Sequence, residues 1–250
     1  MQKEGPQAGT DPLETRPQTI AIVALGPSSY SYQQATCGKK GFITPDEVWV
    51  CNSGINAFRA DKAFIMDDLV GLEPRFPDWC ARLRTEETPI VTCRAYPQYP
   101  SSVAYPLEFV RDSIKDDIFT TSVAYMVGYA IAIQVKEMYL FGCDFWYPNA
   151  KAVEGGLANV SYLLGIAKER GINFKIPQAS TLLDAHMVQV DKEGNRTRPL
   201  YGYDYNPGES QRRIAAGEGT RLDQLVAERA PRPAIDPRQI IDLEKADGSA

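Results

Sequence analysis

The chain predicts an α/β protein: a Rossmann-like, mostly parallel sheet between helices. Three observations predict it. Short apolar runs recur at Thr19–Leu25 (TIAIVAL), Glu47–Cys51 (EVWVC), Lys62–Met66 (KAFIM), Pro89–Cys93 (PIVTC), Met138–Phe141 (MYLF) and Asn173–Ile176 (NFKI). Runs of this length and composition read as strands buried on both faces. Helical stretches fall between them, and most runs end in small or polar residues: Gly-Pro-Ser-Ser, Asn-Ser-Gly, Asp-Asp and Gly-Cys-Asp. Open α/β sheets bind ligands just beyond such strand ends.

Length and composition set bounds on this reading. With 250 residues, 44% hydrophobic and 24% charged, the chain suffices for one α/β domain with tails. A formal charge of −5 and a pI near 5.1 give no general attraction to nucleic acid or anionic membranes. The five Cys are scattered without CxxC or zinc spacing, which predicts free thiols in a reducing cytoplasm. No long apolar run or basic-apolar leader is present, so neither a membrane span nor a signal peptide is expected.

In order, residues 1–18 read as a mobile leader rich in Gln, Pro, Gly, Glu and Thr. Residues 19–203 form the expected domain. Its first strand runs into Gly26-Pro27-Ser28-Ser29, where Gly26 permits close backbone approach and the hydroxyls can bind a phosphate. The same four residues also make a turn and N-cap, and one glycine alone does not define a phosphate loop. The second strand ends at Asn52-Ser53-Gly54, either a turn or an amide presented to a ribose or base. At the tip of the third stand Asp67 and Asp68. They can hold a magnesium ion against a diphosphate, cap the next segment or bind a ribose diol. Consecutive strand residues point opposite ways, which favours no metal.

Glu73–Arg84 is expected to be helical, and Arg94–Pro106 (RAYPQYPSSVAYP) to be a Tyr/Pro-rich loop. The central unit is Thr120–Tyr147. Thr120 or Thr121 caps a helix in which Ala124, Gly128, Ala130 and Ala132 permit close packing on the sheet. Lys136-Glu137 turns into the strand Met138–Phe141, and Gly142-Cys143-Asp144-Phe145-Trp146-Tyr147 then sets a carboxylate and three aromatic rings at the strand end. Leu157–Arg170 is an amphipathic helix with Leu157, Val160, Leu164 and Ala167 on one face. The one histidine, His186, is more often structural in such a place than catalytic. Met187–Val190 and Thr197–Tyr203 flank a hairpin turn at Lys192–Asn195. Residues 204–250 read as a surface helix and a flexible tail.

The central unit resembles the bacterial lipooligosaccharide sialyltransferases, in which a Thr-Ser-Gly helix leads to a strand ending Gly-x-Asp-Phe-Tyr. Thr121-Ser122, Tyr125-Met126, Ala130-Ile131-Ala132, Lys136-Glu137, Tyr139-Leu140, Gly142 and Asp144-Phe145 fall in that register without a gap. The architecture is also similar to that of motility-accessory-factor and hydroxymethylpterin-diphosphokinase-like proteins, and to many phage chains. The resemblance implies transfer of a sugar from a nucleotide-activated donor to a hydroxyl acceptor. Gly26, Pro27, Ser28, Ser29, Asn52, Ser53, Asp67, Asp68, Thr121, Ser122, Gly142 and Trp146 would hold nucleotide and donor. Asp144 and Tyr147 would shape the reacting end.

Counting back from Leu182-Leu183, the family's catalytic His falls on Glu154, a carboxylate with an ordinary pKa of about 4.3 that can accept a proton. Val123 replaces the motif glycine, and Trp146 replaces the tyrosine whose hydroxyl assists the leaving phosphate. These departures imply a donor other than sialic acid. The acceptor classes are a glycan or a hydroxymethylated DNA base, the latter unsupported by charge. The alternatives are magnesium-dependent diphosphate transfer through Asp67 and Asp68, and a non-catalytic nucleotide-binding protein.

Overall fold

The first strand of the chain lies inside its sheet. β1 (Thr19–Val23) pairs in parallel with β2 (Glu47–Cys51) on one side and β6 (Glu137–Phe141) on the other. The computed structural model describes residues 16–37, 43–145, 150–190 and 196–197, with side chains from Gly155 to Val188 in the third segment. Beyond β2 lie β3 (Lys62–Phe64), β4 (Ile90–Thr92) and β5 (Ser102–Ala104), and beyond β6 lies β7 (Asn173–Lys175). The seven-stranded order is β5-β4-β3-β2-β1-β6-β7, parallel at every pairing. The chain adds strands outward from β1 on one side, then crosses back to the other. That reversal, between β1 and β6, is the switch point at which loops part and leave a crevice.

The apolar runs form strands because both faces are covered. Ile20 and Ile22 of β1 belong to one core cluster, Ala21 and Val23 to the other, and all four are fully buried. The first face carries α4 (Leu107–Ile114), α5 (Ser122–Ala132) and α6 (Ala150–Glu169). The second carries α1 (Tyr30–Cys37), α2 (Leu69–Leu72) and α3 (Pro77–Leu83). Gly128 of α5 faces α4 and the connection after it rather than the sheet: a Cβ there would stand 2.5 Å from Phe119 Cε1 and 3.3 Å from Ile114 Cδ1. Tyr129 of α5 meets Trp49 of β2 and Phe64 of β3 at centroid distances of 5.5 and 6.2 Å.

Several boundaries differ from expectation, each for a local reason. Of the helix expected over Glu73–Arg84, only Pro77–Leu83 (α3) is helical, and a separate short helix, α2, precedes that span at Leu69–Leu72. Pro77 opens α3 at its first position and leaves Phe76 at φ −137, since proline disfavours helical backbone just before it. The Tyr/Pro loop contains β5, a three-residue edge strand with one buried residue, too short to show a pattern. α1 fully buries no residue and turns only Tyr32 and Ala35 to the core, too few to set a helical period. α6 begins at Ala150, before the expected Leu157, because Gly155 and Gly156 interrupt its pattern with poor helix formers. Of the expected hairpin, Gln189–Val190 (β8) and Arg196–Thr197 (β9) pair as strands, and residues 198–203 lie outside the described residues. No helix among the described residues is long and apolar enough to cross a membrane.

Candidate functional site

At the switch point the loops after β1 and β6 lock together. Gly26 N–H donates to the Gly142 carbonyl at 2.8 Å, and a Cβ on Gly26 would stand 2.6 Å from Asp144 Oδ2. Gly142 has φ +67, a left-handed backbone that glycine adopts freely. Ser28 donates to the Asp144 carboxylate twice, from its backbone N–H at 2.6 Å and its hydroxyl at 2.7 Å. The same hydroxyl accepts from Gly142 N–H at 3.0 Å. Ser28 and Asp144 are 0% and 6% exposed. Pro27–Ser29 forms a single tight turn, with Ser29 N–H donating to the Gly26 carbonyl at 3.0 Å.

This brace occupies Gly26, Ser28, Gly142 and Asp144 with one another. The close approach that Gly26 permits is made to the chain's own Gly142 and Asp144, and the Ser28 hydroxyl has its donor and acceptor capacity taken inside the fold. Thr181 Oγ1 donates to the Asp144 carbonyl at 2.8 Å and fixes the same loop from the other side. Burial pushes the thiol of Cys143 well up, and that of Cys51 to about 12, so neither offers a thiolate near neutrality.

Beside the brace, a cavity of about 720 Å³ opens over the start of α5, between the ends of β2 and β3 and the second turn of α6. Asn52, Asp67, Thr121 and Ser122, all expected at a site, line it together with Met66, Phe119, Thr120, Tyr125, Gly155 and Gly156. Thr121 is the N-cap, its hydroxyl accepting from Ala124 N–H at 3.2 Å. The N–H groups of Ser122 and Val123, in the first turn, have no intrahelical acceptor and carry the positive end of the helix dipole. Phe119 and Tyr125 stack at 5.2 Å and 27°. Thr120 accepts from the buried Asn159 side chain, which ties α6 to this wall. Asn52 sits at φ +48, and its Oδ1 is buried without a hydrogen-bond partner.

A second cavity, about 380 Å³, shares Asn52 and Asp67 with the first and is otherwise walled by Ser53, Asn56, Leu72, Phe76 and Trp79. Asp67 and Asp68 diverge. Asp68 caps α2 through Val70 N–H, accepts from the Tyr96 hydroxyl at 2.9 Å and pairs with Arg94 at 3.3 Å. Its carboxyl is held below the usual range, chiefly by the Tyr96 hydroxyl. Asp67 lines both cavities, whereas Asp68 lines neither and is turned to Tyr96 and Arg94. Among the described residues no group of three His, Cys, Asp or Glu side chains could hold a metal.

Trp146 and Tyr147 lie outside the described residues, as does the side chain of Glu154. The backbone of Glu154 is in the second turn of α6 rather than at a helix start, one residue before the cavity-lining Gly155. His186 is exposed, in a short helical turn at Leu182–Met187. Phe119, Tyr125, Gly155, Phe76 and Trp79 line the cavities without a site role expected from the sequence. The available signal was the Gly155-Gly156 pair inside a helical pattern: a Cβ on Gly155 would meet nothing within 4 Å, while one on Gly156 would stand 2.6 Å from Phe145.

No protein-family profile and no curated protein matches the chain. Among solved structures it is similar to the sialyltransferase CstII from Campylobacter jejuni in complex with cytidine-5'-monophosphate, at 18% identity and a TM-score of 0.42, covering 66% of this chain and 82% of that one. It is also similar to the monofunctional alpha-2,3-sialyltransferase Cst-I from Campylobacter jejuni, at 16% identity and a TM-score of 0.43, over 84% and 95% of the two chains. At these identities and scores the chemistry rests on this chain's own residues.

Proposed function

We propose that the chain is a glycosyltransferase that moves a sugar from a nucleotide-activated donor to a hydroxyl acceptor. The observation that carries the reading is the larger cavity beside the switch point, where the first turn of α5, a stacked aromatic pair and the Asn52 carboxamide converge. Each matches one part of a nucleotide. The Ser122 and Val123 N–H groups suit a phosphate, the Phe119–Tyr125 face suits a flat base, and the Asn52 amide suits a ribose or base edge. The register of Thr121-Ser122 through Asp144-Phe145 with the sialyltransferase motif supports the same chemistry.

In this reading the brace of Gly26, Pro27, Ser28, Ser29, Gly142 and Asp144 supports the cavity from beneath. Trp146 and Tyr147, directly after the brace, close the donor end. Glu154 is the base. The acceptor hydroxyl gives its proton to the Glu154 carboxylate as its oxygen bonds to the anomeric carbon. The bond from that carbon to the phosphate oxygen breaks, and the nucleotide leaves with the electron pair.

A thermal-shift screen of nucleotides and nucleotide sugars tests the reading. A ligand at 100 times its Kd adds about 2.7 kcal/mol of stability, and Ser122→Pro, which removes a first-turn N–H, should abolish the shift. A chain stabilised by none of these compounds is not a nucleotide-sugar transferase. Because Asp68 is held by Tyr96 and Arg94, chelator should leave the shift unchanged. A shift that vanishes with chelator and returns with magnesium would move diphosphate transfer ahead.

A further inference from the structure

We propose that the smaller cavity is the acceptor subsite, and that it takes a neutral, ring-bearing alcohol. The inference rests on the transferase reading and adds to it the chemical class of the second substrate. A transferase must bring two substrates into contact, and the reacting atoms meet only where their sites adjoin. The two cavities share two walls, Asn52 and Asp67. A hydroxyl presented from the smaller cavity across that partition faces a donor in the larger one.

The walls define the class of ligand. Leu72, Phe76 and Trp79 give the smaller cavity an apolar lining. Phe76 and Trp79 stand at 6.4 Å and 86°, edge to face, so two ring planes meet at a corner. Phe76 is 47% exposed, an exposure that a sugar ring or aryl group stacked on its face would relieve. Arg75 lies over the Phe76 ring at 5.3 Å. The indole N–H of Trp79 is buried without a partner, whereas that of Trp49 donates to Glu47 at 2.6 Å. Asp67 is the charged group among the described lining residues, so an acceptor carboxylate would meet like charge. A neighbouring, non-reacting hydroxyl of the acceptor can donate to Asp67, and the reacting oxygen can accept from the Asn52 amide while its proton goes to Glu154.

The probes are p-nitrophenyl glycosides of neutral hexoses, and p-nitrophenyl glucuronide as the anionic counterpart, tested as acceptors with the donor found by the nucleotide screen. Phe76→Ala and Trp79→Phe should each raise the neutral acceptor's KM at least tenfold, with kcat within about threefold and nucleotide binding unchanged. Phe76 is surface-exposed, so its variant should fold. The glucuronide should be used at least tenfold less well, and Asp67→Asn should narrow that gap. Neutral glycosides that are not used although nucleotide binds would overturn the acceptor assignment alone. An unchanged KM in both cavity variants, or preference for the glucuronide, would do the same. Failure of every nucleotide to bind removes the transferase reading, and this inference with it.

Discussion

Ser28 and Asp144 are partners 116 residues apart in the chain, and because both are buried their exchange is costly to break. Asp144→Ala would leave the Ser28 N–H and hydroxyl buried without acceptors. A loss of roughly 2–4 kcal/mol is expected, since each stranded donor costs about 1–3, and urea denaturation measures it. Glu154→Gln makes the opposite prediction. As the proposed base it should lose about 10²-fold or more in turnover while binding donor normally, and near-wild-type turnover would end the assignment. Two other carboxylates contribute to the loss of stability in acid. The Asp46 carboxyl is held low first by the Thr19 N–H and then by that of Gln18. Burial pushes the Glu137 carboxyl up, but hydrogen bonds from Lys175 and Tyr139 outweigh it. A carboxyl held low in the folded state contributes stability above its unfolded pKa, and loses it as pH falls through the folded value. The urea midpoint should therefore be flat from pH 7 to about pH 5 and fall below about pH 4. Asp46→Asn should make that fall shallower. Asp144 stood out in the sequence as a carboxylate at a strand end, but its partner did not, because a contact across 116 residues leaves no local pattern.

At the scale of elements, α6 carries its glycines against helix propensity. Gly155 faces open space and lines the larger cavity, so Gly155→Ala should stabilise the helix by about 1 kcal/mol. The added methyl should also weaken nucleotide binding severalfold, measured by calorimetry beside the melting temperature. A stabilised variant with unchanged affinity would take α6 out of the binding wall. The cap of α5 separates two effects in the same way: Thr121→Val should cost about 1 kcal/mol. The sequence made α5 and β6 legible because a capping threonine, small packing residues and an apolar run all agree there. It hid the start of α6 behind the glycine pair, and hid β5 and α1 because neither buries a face long enough to impose a period.

For the whole molecule, the parallel α/β class was legible because two covered faces demand uninterrupted apolar strands. Strand order was not, since composition does not say on which side of β1 a run will pair. The convergence expected at one sheet edge is present for Gly26, Asn52, Thr121 and Gly142, all at ends of elements around β1, β2, α5 and β6. The division of labour among them was hidden. Some residues turn toward the open cavities, while Ser28 and Asp144 are spent on the chain itself.

The brace has a consequence for how the protein is made. β1 is synthesised before its neighbours, yet its second neighbour and the carboxylate that holds its loop lie 118 and 116 residues further along. At 5–20 residues per second, roughly 6–25 s pass before Asp144 exists to receive the Ser28 N–H. Through that interval one edge of β1 is unpaired and apolar, a template for misassociation. A nascent chain stalled at residue 136 should remain protease-sensitive around Gly26–Ser29, and one stalled with β6 and its loop clear of the ribosome should become resistant there.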